Sequence, residues 1–162
     1  MTRLVPMRPE SFPAFFEAAV AAYAEDNVRS GRWRESDAPE LARTETGRLL
    51  SAGVDTPDHQ LFEIEDDAAE RVGWLWLATL RRGEALAAYV YQIIVGPEHR
   101  RRGHAAAAMQ QAAALAAVQG HDSIALHVFA HNDAARALYR RLGFEVVSLN
   151  LAMPLPAPKG GG

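Results

Sequence analysis

Apolar residues change their spacing several times along the chain, and each change predicts an element. Phe12, Phe15, Phe16, Ala19, Val20 and Tyr23 fall on one stripe at helical period, with Ser11 and Pro13 supplying a start. A weaker pattern predicts a second helix over about 37–50, where Asp37 and Glu40 resemble a capping pair and Gly47 weakens the interior. Residues 31–34 between them read as loop. Short β-rich runs follow at 61–64 and 72–77, separated by a polar turn at 66–70. After a turn at 81–83, the run 88–95 is apolar almost throughout, as a central strand covered on both faces would be. Pro97 ends it. An alanine-rich helix reaches about Val118 and stops at Gly120. Residues 123–129 predict another strand, and Asn132-Asp133 opens a short helix with Ala134, Leu138 and Leu142 on one face, ended by Gly143. Residues 144–149 predict a strand, and 151–155 a short last one. With a strand ahead of the first helix, the order is β-α-α-β-β-β-α-β-α-β-β, an α/β fold with a mixed sheet and helices on its faces. No internal repeat is visible. Prolines alternate from Pro154 to Pro158 ahead of a glycine run, so one domain is expected over 1–154 and a mobile tail over 155–162.

Two stretches carry candidate chemistry. In the first, the strand through Ile93, Ile94 and Val95 runs into a turn containing Arg100, Arg101, Arg102 and Gly103, and the turn opens directly into a helix at His104, Ala105 and Ala106. The first amides of a helix lack intrahelical acceptors, and the helix dipole is positive there, so such an end suits a phosphate or pyrophosphate. Gly103 lets backbone approach a ligand, and Ala105 keeps the wall small. The plainer reading is a solvated basic turn. In the second stretch, the strand through His127 leads to Asn132 and on to Tyr139, Gly143 and Phe144. Taken alone, Asn132 is an ordinary helix cap and Tyr139 a packing residue.

Together the two stretches resemble a known family. Arg100-x-x-Gly103-x-Ala105 after Val95-x-Pro97 is similar to the acyl-CoA signature of the GNAT superfamily of N-acetyltransferases. Asn132-x-x-Ala135-x-x-Leu138-Tyr139-x-x-x-Gly143-Phe144 resembles that family's second signature. The likeness is firm from Tyr89 to Phe144 and looser before it. It implies that the strand at Ile93, Ile94 and Val95 splays from the strand at 126–128, with the pantetheine arm of acetyl-CoA in the gap. The pyrophosphate would lie on the amides of Arg101, Arg102, Gly103, His104, Ala105 and Ala106, and Asn132 would bond the pantetheine while capping its helix. The implied reaction is direct acetyl transfer to an amine, with Tyr139 as proton donor to the leaving thiolate. Some relatives carry a glutamate base five residues before the asparagine; His127 stands there. A histidine is a reasonable base near neutral pH, and packing on a half-buried strand is the alternative. A strand glutamate used by other relatives falls on Tyr89, so a water relay through Tyr89 or Tyr91 stays open. His131 reads as a loop residue. Trp33, Trp74 and Trp76 are candidates for an acceptor pocket, with sheet packing the plainer role for the last two.

Composition narrows the classes. The chain has 162 residues, no cysteine and a net charge of −3. Thiol nucleophiles and Cys-ligated zinc are therefore excluded, which fits direct transfer without a thioester-linked acyl-enzyme. No spacing of His and carboxylates suggests a metal. Bulk acidity argues against a nucleic-acid or membrane partner, and no run of residues is long and apolar enough to span a bilayer. A cytoplasmic location is the expectation. The partners expected are acetyl-CoA and an amine, with a homodimer open. The competing class is an acyl-CoA-binding sensor without catalysis.

Overall fold

The computed structural model describes residues 1–160; Gly161 and Gly162 of the expected tail lie outside the described residues. In chain order the elements are β1 (Arg3–Pro6), α1 (Phe12–Arg29), α2 (Ala38–Leu49), β2 (His59–Glu65), β3 (Arg71–Arg82), β4 (Ala85–Val95), α3 (His104–Val118), β5 (Ser123–Leu126) and α4 (Asp133–Arg141). The strands form one sheet in sequence order. Neighbours are antiparallel except β4 and β5, which run parallel because α3 carries the chain back across the sheet.

The alternation of β3 explains the layers. Successive side chains of a strand point to opposite faces. Leu75 and Leu77 therefore join Ile64, Ala88 and Val90 in a core closed by Ala108, Met109 and Ala112 of α3. Trp76 points the other way and packs with Leu61, Phe15 and Ala19 of α1. Buried alanines recur at Ala108, Ala112 and Ala116, one face of α3 at four-residue spacing. The expected mixed sheet with helices on both faces is thus present, and the predicted order holds as far as α4.

The sheet departs from the sequence reading in several places. Strands β3 and β4 extend to a tight turn at Gly83 (φ 64°), because pairing between neighbours continues past the apolar runs. Strand β5 stops at Leu126 instead of residue 129. The strands expected at 144–149 and 151–155 do not form: after Phe144 no backbone hydrogen bond is made among the described residues, and Val147, Leu149 and Leu151 are exposed. Alternating apolar residues fit a pleated surface, but a strand exists only where a neighbour takes up its backbone N–H and C=O groups.

The feature that positions the site lies in the middle of β4. Trp76 faces Gln92 and Leu77 faces Val90, so Tyr91 has no opposite number and forms a β-bulge. Pairing with β5 runs from Ala87↔Ser123 to Val90↔Leu126 and ends there. Beyond the bulge the two central strands part.

Candidate active site

After the bulge, β4 is paired on one side only: Leu75 faces Ile93, Trp74 faces Ile94 and Gly73 faces Val95. Every second residue of such a strand directs its N–H and C=O away from the partner, so the wedge side of β4 presents free donors and acceptors. Gly73 is needed for this arrangement, since a Cβ there would lie 2.1 Å from the Ile94 carbonyl oxygen.

Strand β4 then turns through a short 3₁₀ segment (Pro97–His99) into α3. Arg101 (φ 61°) and Gly103 (φ 83°) both take left-handed backbone. A Cβ on Gly103 would meet nothing within 4 Å, so within the chain it is the dihedral that calls for glycine. The first intrahelical bond runs from the Ala107 N–H to the Gly103 carbonyl at 3.0 Å, and no side chain caps the end. The amides of His104, Ala105 and Ala106 therefore have no acceptor within the helix, at the positive end of its dipole. Arg100, Arg101 and Arg102 surround this end and are exposed. Two of the residues expected to meet an anion also bind the fold: Arg100 Nε donates to the Val95 carbonyl at 3.2 Å, and His104 Nδ1 lies 2.9 Å from Thr2 Oγ1.

The other wall comes from β5 and α4. His127 lies one residue past β5, exposed, with its ring 4.7 Å from that of Phe129. Asn132 is the N-cap residue of α4, as expected, but its side chain does not cap. Its Nδ2 donates instead to Asp26 Oδ1 on α1 at 3.3 Å, and the same oxygen lies 3.0 Å from His131 Nε2. Capping would use the amide oxygen as acceptor, whereas this bond uses its nitrogen as donor and is charge-assisted by the carboxylate. His131, expected to be an idle loop residue, is thus tied to α1. Asp26 stands about a hundred residues away in the sequence, and no local pattern marks it. Tyr139 is half-buried on α4 with its ring 5.6 Å from Phe144. Burial pushes its phenol pKa up, so it holds its proton at neutral pH.

The floor of the wedge is aromatic. Tyr91 stacks on Trp76 at 4.7 Å and meets Tyr89 at 4.8 Å. Trp76 Nε1 donates to His59 Nδ1 at 2.9 Å, which leaves the proton of the neutral imidazole on Nε2. Burial pushes the His59 pKa down, in keeping with a ring held neutral. Burial also raises Tyr89, helped by Tyr91 and Tyr23, and burial raises Tyr91, with Glu45 adding to the effect and Arg48 opposing it. Tyr23 and Glu45 belong to the walls of a cleft of about 630 Å³ beside α1 and α2, together with Trp33, Asp37 and Glu40. Of the three tryptophans, only Trp33 lines it; Trp74 and Trp76 pack on Phe15 of α1. Gly73, Asp26 and His59 are site-building residues that sequence reasoning did not find, since each acts through a partner distant in the chain.

Comparison with known proteins agrees with this architecture. The model of the acetyltransferase (GNAT) family matches residues 16–144. Two Bacillus subtilis (strain 168) proteins, described as the uncharacterized N-acetyltransferases YycN and YdgE, are each 32% identical over 152 residues, covering 94% of this chain and 97% of theirs. The crystal structure of Bacillus subtilis YycN superposes with a TM-score of 0.91 at 30% identity, over 97% of this chain and 100% of that one. The overall fold is thus held in common with YycN, and this chain belongs to the GNAT family as an acetyltransferase.

Proposed function

We propose that this protein transfers an acetyl group from acetyl-CoA directly to the nitrogen of a primary amine. The observation that carries the proposal is the wedge: β4 loses β5 after Val90, and the same strand runs into the uncapped start of α3. The free edge at Ile93, Ile94 and Val95 fits an extended, amide-bearing pantetheine arm. The amides of His104, Ala105 and Ala106, with the charges of Arg101 and Arg102, fit its pyrophosphate. Acetyl-CoA supplies an acetyl group already activated as a thioester.

The chain's own residues supply the rest. An alkylammonium has a pKa near ~10, so roughly one amine in a thousand is neutral at pH 7. His127 takes the amine proton, a service worth about 10²–10⁴ in rate. The freed nitrogen bonds to the acetyl carbon and a backbone N–H on the open edge of β4 stabilises the oxyanion; the nitrogen then sheds its second proton to solvent as the carbon–sulfur bond breaks. Tyr139 gives its proton to the leaving sulfur and is reprotonated from solvent. The acceptor enters through the cleft beside Tyr23 and Trp33, where the carboxylates of Asp37, Glu40 and Glu45 outnumber the one cation, Arg32, and favour a cationic amine. One contact favours a second base: Asp26 orients the His131 ring.

Thiol release from acetyl-CoA against a panel of amines tests the reaction. Turnover of at least one amine is expected, together with thermal protection worth about 2.7 kcal/mol at acetyl-CoA a hundredfold above Kd. Absence of both overturns the proposal, and protection without thiol release assigns a binding module instead. The base is identified by comparing His127→Ala with His131→Ala. The true base should lose most turnover near neutral pH and least at high pH, where the amine deprotonates unaided.

A further inference from the structure

One carboxylate takes up N–H groups from two successive residues at the start of α4. Asp26 lies in the last turn of α1, and its Oδ1 is 3.0 Å from His131 Nε2 and 3.3 Å from Asn132 Nδ2. The partners stand 105 and 106 residues away along the chain, so no local turn or helix geometry imposes the contact. Among the described residues these are the only side-chain hydrogen bonds that join α1 to residues 127–141. The His131 and Asp26 side chains are 20% and 30% exposed, so solvent screens the contact less than it would on open surface.

A carboxylate has only acceptor atoms to offer. The Asn132 amide therefore turns its nitrogen to Asp26 and is left with its oxygen free. That oxygen neither caps α4 nor accepts another bond among the described residues. The same reasoning fixes the neutral His131 ring: the proton sits on Nε2, and Nδ1 keeps a lone pair with no partner among the described residues. Phe129 stacks on the ring at 5.6 Å, with 16° between the planes, and steadies its orientation. By engaging two donors, Asp26 turns two side chains that could each present either end into two acceptors of fixed orientation.

We infer that Asp26 is a positioning residue of the transfer reaction. It acts through Asn132, whose free oxygen accepts an amide N–H of the pantetheine arm, and through His131, whose Nδ1 it keeps as a proton acceptor. The Asn132 half rests on the acetyl-CoA reading proposed above, while the His131 half rests on the fold alone. Charge matters here as well as shape. A hydrogen bond to a carboxylate is roughly twice as strong as a neutral one, and the flipped amide would set its oxygen against that of Asp26. The correct orientation is thus chosen before the ligand arrives, and binding does not bear the cost of ordering it.

Calorimetric titration of the full chain with CoA, read beside the ¹⁵N shifts of the His131 ring, tests the inference. Asp26→Ala should weaken CoA about tenfold, and Asn132→Ala by a similar factor. The double variant should lose no more than Asn132→Ala alone, because Asp26 acts through that amide. Asp26→Asn keeps an acceptor of the same shape without the charge, and should fall between wild type and Asp26→Ala. A tie that only braces α1 would lower the melting temperature and leave CoA affinity alone, or add its loss in full to that of Asn132→Ala. Either result overturns the Asn132 half, as does an Asn132→Ala variant of unchanged affinity. At pH 8 an ordinary imidazole, of pKa ~6.5, is mostly neutral. There His131 should carry its proton on Nε2 in the wild type and show both tautomers in Asp26→Ala. A proton on Nδ1 in the wild type, or shifts that the variant does not move, overturns the His131 half. A wild type that binds no CoA overturns the proposed function and the Asn132 half with it, whereas the ring shifts still decide the other.

Discussion

Strand β4 is one run of apolar residues with two fates. From Ala87 to Val90 it is paired on both sides, and its Ala88 and Val90 side chains lie in the core against α3. From Gln92 to Val95 it is paired on one side, its side chains are half-covered, and its free edge looks into a wedge. Both halves are mainly apolar, Ala-Ala-Tyr-Val and Gln-Ile-Ile-Val. What separates them is a single inserted residue, Tyr91, and the aromatic cluster that holds it. The first half is built for stability, while the second leaves backbone groups unsatisfied within the chain, a cost that a bound acyl donor can offset.

The sharpest test of this division separates turnover from stability. Tyr139→Phe should cut turnover by roughly 10²–10⁴ while melting and CoA affinity scarcely move; assays of thiol release beside CoA titration measure both. Leu77→Ala, opposite Val90 in the paired half, should behave in the reverse sense. It should cost about 2–5 kcal/mol in denaturant unfolding, with turnover per folded molecule retained. A selective loss of turnover in that variant would break the comparison.

Two glycines probe the open half with smaller effects. Gly73→Ala forces a methyl against the Ile94 carbonyl, so β4 must shift just where the donor would lie. Overpacking of this kind costs about 1–3 kcal/mol, and acetyl-CoA affinity should fall by about tenfold, a change of ~1.4 kcal/mol readable by calorimetry. Gly103→Ala places a Cβ on a left-handed residue, at about 1–2 kcal/mol, and should weaken CoA more than it lowers the melting temperature. The smallest effect is on pH dependence. Burial depresses the His59 pKa below its ordinary 6.5, so the folded state resists protonation that the unfolded state accepts. The stability this contributes is complete above about pH 6.5 and is lost as pH falls. His59→Gln keeps an acceptor for Trp76 and should flatten the acid limb of a melting-temperature profile taken from pH 7.5 to 5.

Much of the site was legible because its signals are local. The free end of α3 follows from a strand, a turn and a helix in immediate succession, and the stripe from Phe12 to Tyr23 needs only helical period. The roles of Asn132 and Asp26 were not legible. An asparagine ahead of a helix reads as a cap by local rules, yet a carboxylate from α1 draws its side chain away. His59 showed no pattern of its own, since its meaning comes from the Trp76 N–H that it accepts.

The limits of local reading are clearest at the two ends of the sheet's last strands. Apolar alternation over 144–155 predicted strands, and alternation does state what a segment would do beside a partner. It does not state whether the chain provides one. The sequence by itself determined helix periods, turn glycines, the cation cluster and the absence of a thiol nucleophile, because each depends on neighbours within a few residues. Tertiary structure decided where β4 parts from β5, which side chains meet across the wedge, and that the last apolar stretch stays unpaired. Those outcomes depend on which edges and charges meet after the chain has folded back on itself.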